Sequence, residues 1–236
     1  MFNQQNDIFK KYQINCSESQ AEQLKTFFDL LIDWNKRVNL TSITEPNEVN
    51  VKHFFDSLTP ALFFRFNDQK IIDVGAGAGF PGIPLKICFP NLRVTLLDSL
   101  KKRVTFLEHV INRLQLENIN CIHGRAEEAA KDKKFRENYD IAISRAVAKL
   151  NVLAELNLPF VKEGGLMIAL KGPNVEAEIE EARQAIEIFG GNHLATESIL
   201  LPENYGQRKI VFIKKIKKTP QQYPRKSGTP NRKPII

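Results

Sequence analysis

One tryptophan, two methionines, three cysteines and four histidines are spread over 236 residues. The cysteines, at 16, 88 and 121, are odd in number and form no Cys-x-x-Cys pair. That excludes a disulfide framework and fits free thiols in a reducing compartment. The histidines, at 53, 109, 123 and 193, lack the spacing of a metal centre, so no metal is expected. No stretch approaches the roughly 18 consecutive apolar residues of a membrane span. The first six residues, Met1 to Asn6, do not run from a basic region into an apolar one. The expectation is a cytoplasmic chain with no membrane association and no obligate protein partner. Acidic residues are lacking after Glu203, where ten of the 34 lysines and arginines lie. The body therefore carries 24 basic against 27 acidic side chains, a net of −3, and the last thirty residues carry +10. Such an end is either a solubilising tail or an arm for a polyanion.

An apolar fraction of 42% is enough for a sizeable core, and sixteen phenylalanines put most aromatic mass where no polar handle asks for display. Residues 3–12 suit a short helix. Ser17 and Gln20 have capping-box spacing ahead of Leu24, Phe27, Phe28, Leu31, Ile32 and Val38, which recur at three and four and predict an amphipathic helix over 18–38. Pro46 sits early in a second helix that carries His53-Phe54-Phe55-Asp56-Ser57. Residues 1–66 thus read as a helical extension without a clear strand.

From residue 67 the rhythm changes. Strands are predicted at Ile71–Val74, Val94–Leu97, Ile119–Ile122, Tyr139–Ile143 and Gly165–Leu170, with helices over 82–88, 100–115, 126–131, 148–157 and 176–189 between and after them. Ser198–Leu201 and Lys209–Ile213 are joined by Pro202 to Gly206, too short for a crossover, so they form an antiparallel hairpin. The predicted fold is α/β: a seven-stranded Rossmann-like sheet of five parallel strands plus the terminal hairpin, covered by helices, over 67–216. Residues 217–236 are basic, proline-rich and aperiodic, and read as an extended tail.

The stretch Ile71-Ile72-Asp73-Val74-Gly75-Ala76-Gly77-Ala78-Gly79-Phe80-Pro81-Gly82 is a strand, a tight turn and a helix start. Such a turn lets backbone approach a ligand at the carboxyl end of a parallel sheet. A dinucleotide loop needs a third glycine where Phe80 stands, and no Gly-Lys-Ser/Thr follows for a P-loop. Gly75, Gly77 and Gly79 have instead the spacing that resembles the first motif of seven-stranded methyltransferases, which bind S-adenosylmethionine. Asp98, ending the second strand, suits two ribose hydroxyls or a helix cap. Arg125-Ala126-Glu127 after the third strand suits the edge of an adenine or an ordinary first helical turn.

After strand four the chain reads Ser144-Arg145-Ala146-Val147, not the Asn/Asp-Pro-Pro-Tyr/Phe of base-amine methylation, and none of the three cysteines lies there for attack on a pyrimidine. An acceptor with its own lone pair, such as guanine N7, fits what is left: it needs alignment and charge management, not a general base.

These motifs, with Trp34-Asn35-Lys36-Arg37-Val38-Asn39-Leu40-Thr41, His53-Phe54-Phe55-Asp56-Ser57, Asp98-Ser99 with Lys102-Arg103, Lys171-Gly172 and Tyr223-Pro224-Arg225-Lys226-Ser227-Gly228-Thr229-Pro230, resemble the ribosomal RNA small subunit methyltransferase G family, also called glucose-inhibited division protein B, nearly end to end. The resemblance implies methylation of N7 of one guanine in 16S rRNA, on free RNA, an assembling subunit or the small ribosomal subunit. It assigns Gly75, Phe80, Ala126, Glu127 and Arg145 to the cofactor, to which the glycine spacing and the acid ending strand two add Gly77 and Asp98. Arg145 is the positioning candidate, for the cofactor, the guanine O6 edge or a phosphate, unless it pairs with Asp73 or Glu127. No acid or base catalyst is assigned. His53 and Asp56 are read as ties between the helical extension and the sheet. Lys171, Arg208, Lys209, Lys214, Lys215, Arg225 and Lys226 are the RNA-binding candidates, on which deleting 219–236 weakens RNA binding and leaves cofactor affinity intact. An NAD-dependent oxidoreductase, a methyltransferase for another RNA or a small molecule, and a non-catalytic RNA-binding factor are the alternatives.

Overall fold

The structure is a computed structural model that describes residues 9–236. The helix expected over 3–12 lies mostly outside the described residues, and only 9–11 is seen to be helical. Helix α1 (Glu18–Val38) starts as its capping box requires, with Ser17 Oγ accepting from the Gln20 N–H and Gln20 Oε1 accepting from the Ser17 N–H at 2.8 Å. Gln20 also donates to the Ile87 carbonyl at 2.8 Å, so the cap doubles as a clasp onto the sheet layer. Helix α2 (Pro46–Val49) runs without a break through a π-helical stretch (Asn50–Phe55) into α3 (Asp56–Leu58). The sequence gives no sign of this wider turn, which holds His53 and the Lys52 carbonyl, both of which face Arg145.

The sheet contains β1 (Lys70–Val74), β2 (Arg93–Asp98), β3 (Ile119–His123), β4 (Tyr139–Arg145), β5 (Val161–Lys171), β6 (Gly191–Leu200) and β7 (Gln207–Lys215), in the order β3-β2-β1-β4-β5-β7-β6. The first five are parallel, and β7 inserts antiparallel between β5 and β6. Helices α4 (Gly82–Cys88), α5 (Lys101–Arg113), α6 (Ala126–Ala129), α7 (Leu150–Asn157) and α8 (Glu176–Ile188) cover the faces. The seven strands and the terminal hairpin agree with the sequence-based expectation. β6 has ten residues where four were expected, because it is an edge strand whose first half carries polar residues on the solvent side and so lacks an apolar run.

The helical extension shares its core with the sheet. Phe27 of α1 is fully buried among Phe54, Phe80 and Phe106, with ring centres 5.2 to 6.4 Å away. Burying one such ring contributes about 2 kcal/mol. Trp34 lies on Phe106 and His109, and the Cys16 and Cys88 thiols, both free, stand 2.9 Å apart across the same seam.

The expected extended tail is instead folded back onto the molecule, ending in a one-turn helix α9 (Thr229–Arg232). Acidic and amide side chains of the body take up its backbone groups. Glu137 accepts the Thr219 N–H, Glu155 that of Arg225 and Glu127 that of Gly228, and Asn151 donates to the Ile235 carbonyl. Tyr223 meets Phe189 edge-on, and Pro224 and Pro230 are buried. Periodicity carries no trace of such packing, since the tail contributes backbone and isolated side chains, not a face.

Candidate active site

The glycine loop leaves β1 with Gly75, Gly77 and Gly79 at φ of 77°, 59° and 95°. At Gly75 the requirement is double: L side chains avoid that φ, and a Cβ there would stand 2.9 Å from Val147 Cγ2. The loop is held from beside and below. The N–H groups of Gly75 and Ala76 donate to the Leu97 carbonyl of β2, and that of Gly77 donates to Asp98 Oδ2 at 2.9 Å. Asp73 Oδ2 accepts the Gly82 N–H at 2.8 Å and anchors the start of α4. Complete burial pushes the Asp73 carboxyl up to about 7, against the pull of that N–H and of Arg145, and its Oδ1 has no hydrogen-bond partner among the described residues.

Beside the loop lies a cleft of roughly 410 Å³, lined among others by Gly75, Asp98, Arg103, Ala126, Glu127 and Ala146. Asp98 is nearly buried. Its oxygens accept from Gly77 and from the Leu100 N–H at 2.8 Å, which leaves one lone pair on each for a ligand. A ribose diol between Asp98 and the α6 turn matches this donor set, and the cleft has the size of an adenosine-bearing ligand's site.

A second cavity of roughly 420 Å³ opens on the other side of Ala146, which borders both and has φ of 55°. Lys52, His53, Asp56, Arg145, Lys171 and Arg208 form its polar wall. Arg145 is fixed there by three acceptors: the Lys52 carbonyl at 2.7 Å, Asp56 Oδ2 at 2.9 Å and His53 Nδ1 at 3.1 Å. Its guanidinium carbon lies 5.0 Å from the centre of the Phe80 ring. Burial and the facing guanidinium hold the His53 imidazole down to about 3, so it is neutral at physiological pH. Arg145 can only donate, so Nδ1 accepts and Nε2–H donates to Thr41 Oγ1 at 2.8 Å. Asn35 fastens the loop that presents Thr41, with its Oδ1 accepting the N–H groups of Leu40 and Thr41 and its Nδ2 donating to the Thr41 carbonyl.

This two-cavity sheet can be compared with known proteins. A family model described as rRNA small subunit methyltransferase G matches residues 20–211. Proteins named ribosomal RNA small subunit methyltransferase G from Brevibacillus brevis and Staphylococcus aureus strain N315 are each 50% identical to the chain. The first alignment spans 94% of both chains, the second 96% of this one and 95% of the other. The chain belongs to the rRNA small subunit methyltransferase G family. Among solved structures, an O-methyltransferase from Bacillus cereus in complex with SAH has a TM-score of 0.55 at 15% identity, over 80% of this chain and 91% of that one. The TYW2 protein of M. jannaschii in complex with AdoMet has 0.53 at 18%, over 68% and 77%. At these identities the likeness concerns the fold: a class I methyltransferase sheet.

Of the residues expected at the cofactor, Gly75, Asp98, Ala126 and Glu127 line the first cleft. Gly77 is held back from it on Asp98, and Phe80 is turned away. The Phe80 ring is buried between Phe27 and His53, at 5.2 and 4.5 Å, because the loop turns it towards the helical extension. Arg145 faces the second cavity, and its anion is Asp56, not Asp73 or Glu127, since β4 ends beneath α3. His53 and Asp56 do bridge the helical extension and the sheet, and they also line the second cavity.

The basic candidates separate. Arg208, 3.4 Å from Asp56, and Lys171, 2.6 Å from Glu178, reach the second cavity. Lys209 is paired with Glu176, and Lys214 with the Gly164 carbonyl. Two candidates point inward, contrary to the sequence-based expectation. Lys215 is fully buried and donates to the carbonyls of Leu158 and Phe189 and to Thr219 Oγ1, and Arg225 grips the buried Glu155. Lys226 is exposed. Sequence reasoning gave no role to Arg103, Ala146, Val147 or Asn231, all of which line the first cleft. The first three stand inside motifs that carry the family resemblance, and Asn231 lies one residue beyond the tail motif.

Proposed function

We propose that the chain methylates N7 of a guanine in 16S rRNA, with S-adenosylmethionine as donor. One observation carries the reading in a member of this family: the two cavities meet at Ala146, so that a donor in one and a base in the other are neighbours across a single residue. S-adenosylmethionine bound in the first cleft supplies an electrophilic methyl group. Asp98 accepts the ribose hydroxyls, the backbone at Gly75 borders the ligand closely, and the α6 turn at Ala126 and Glu127 edges the adenine.

The second cavity suits a lone-pair nucleophile. Its imidazole, His53, is too weakly basic to collect a proton at neutral pH, and its carboxylate, Asp56, is engaged by two guanidinium groups. Guanine N7 loses no proton on methylation, so neither group has to act as a base. Arg145 has two N–H donors beyond those facing its three acceptors, enough to orient a guanine O6 edge. Asp56 offsets the positive charge that methylation places on the base. Lys171 and Arg208 offer the flanking phosphates a cationic rim, and the exposed Lys226 adds a positive charge on the folded-back tail. The helical extension, 1–66, then contributes Lys52, His53 and Asp56 to the acceptor wall, 67–216 is the catalytic sheet and 217–236 the basic tail. The substrate is the RNA alone or within an assembling or finished small subunit.

The test is mass mapping of rRNA nucleosides from cells lacking the protein. One 7-methylguanosine of 16S rRNA is expected to disappear and to return on complementation. An unaltered 7-methylguanosine pattern would overturn the reading.

A further inference from the structure

Asn231 lines the donor cleft from the C-terminal segment, a stretch whose basic composition pointed to RNA. The segment reaches that place by a series of anchors. Arg136 donates to the carbonyls of Thr219, Pro220 and Tyr223 at 2.7 to 3.2 Å. Arg225 makes a two-pronged pair with Glu155, which is 1% exposed, through Nε at 2.9 Å and a terminal nitrogen at 2.6 Å, while its own backbone N–H donates to the same carboxylate. The Gly228 N–H donates to Glu127 Oε1 at 2.7 Å, and Ser227 Oγ donates to Glu128. Behind these points Tyr223 packs on Phe189, and Pro230 is buried next to Asn231.

Glu127 therefore serves differently from what its sequence position suggests. One of its oxygens is spent on the tail backbone, so it fastens the segment at the cleft. The carboxamide lining the cleft beyond that contact is Asn231. A carboxamide of this kind pairs bidentately with the N6 amine and a ring nitrogen of adenine.

We propose that Asn231 is a cofactor-binding residue that reads the adenine end of the methyl donor, and that the anchored segment 217–236 is the outer wall of the donor cleft. The proposal rests on the donor assignment under Proposed function and extends it to a part of the chain outside the methyltransferase sheet. It reverses the sequence-based expectation that the segment can be deleted without effect on cofactor affinity.

Isothermal titration with S-adenosylhomocysteine, on the full-length protein and on N231A and R225A, tests it. Asn231 is exposed, so N231A is expected to keep the unmodified protein's melting temperature while its Kd rises about three- to tenfold, the loss of one to two hydrogen bonds. R225A, which releases the wall without touching the cleft, is expected to raise Kd at least as much. Hydrogen–deuterium exchange supplies an independent readout: S-adenosylhomocysteine is expected to slow exchange of amides 226–232 together with those of the glycine loop. Kd values of both variants within twofold of the unmodified protein, or protection of the glycine loop with none in 226–232, would overturn the proposal. Absence of binding by the unmodified protein would overturn the donor assignment itself, and this proposal with it.

Discussion

Arg145 and Asp56, 89 residues apart in sequence, form a 2.9 Å ion pair whose side chains are 12% and 4% exposed. The pair joins the end of β4 to the helical extension and lines the second cavity. Removing Asp56 leaves Arg145 and Arg208 facing each other without an anion. D56A is expected to lose about 3 kcal/mol of stability in urea titration. R145K keeps the charge but cannot hold three acceptors in a fixed fork. It is expected to lower kcat for methyl transfer about 100-fold while the Kd for S-adenosylhomocysteine stays within threefold. A lysine variant of near-normal kcat would remove Arg145 from the acceptor wall's function.

Asp73 makes stability depend on pH in an identifiable window. Its folded pKa, about 7, lies above its ordinary value of 3.8, so between these the folded state holds the extra proton. The contribution is complete below about pH 4 and is lost as pH rises through 7. Asparagine can accept the Gly82 N–H and does not titrate. D73N should therefore show a smaller drop in urea midpoint from pH 4.5 to 7.5 than the unmodified protein. Equal drops would show that Asp73 does not titrate there.

Lys215 offers a contrast between buried and displayed charge. Burial lowers its pKa to about 8, and its ammonium is held by two carbonyls, Thr219 and Glu137. K215M leaves those acceptors unmet and is expected to cost about 3 kcal/mol, with no change in how RNA affinity falls with salt. K226A is expected to leave stability alone and to reduce the slope of log K against log salt by about 0.7 to 0.9. Fluorescence anisotropy with 16S rRNA fragments between 50 and 200 mM salt measures both.

Gly75 is constrained by its own backbone and by a neighbour. G75A is expected to destabilise by about 1–2 kcal/mol through its positive φ. The added methyl also meets Val147. Adding V147A should relieve that contact and recover only part of the loss, which a thermal denaturation cycle of the single and double variants resolves.

The sheet was legible in the sequence because central strands are short apolar runs that contain or end in a charged residue, as at Asp73, Asp98, Arg145 and Lys171. The glycine loop was legible because alternate glycines have few other uses. What escaped was carried by single contacts across long separations. Glu155 and Glu137 each look like a solvated charge on a helix or turn and Glu127 like a cofactor or first-turn residue, and only the folded chain shows that all three receive the same tail. The sequence placed Phe80 on the loop but not the direction of its ring, which depends on the helix packed over it, here through Phe27 and His53. The partner of Arg145 was hidden because the extension and β4 meet only after the sheet has closed.

Ala146, the one described residue common to both cavities, also bears on the order of events in turnover. Among the described residues the cavities share no other lining residue, and each is open to solvent on its own side of that partition. Neither ligand has to cross the compartment of the other, so donor and RNA can arrive, and their products depart, in either sequence. Initial-rate plots against both substrates should intersect, S-adenosylhomocysteine should inhibit competitively against the donor and noncompetitively against RNA, and methylated RNA should inhibit competitively against RNA and noncompetitively against the donor, which together are the pattern of a random-order enzyme.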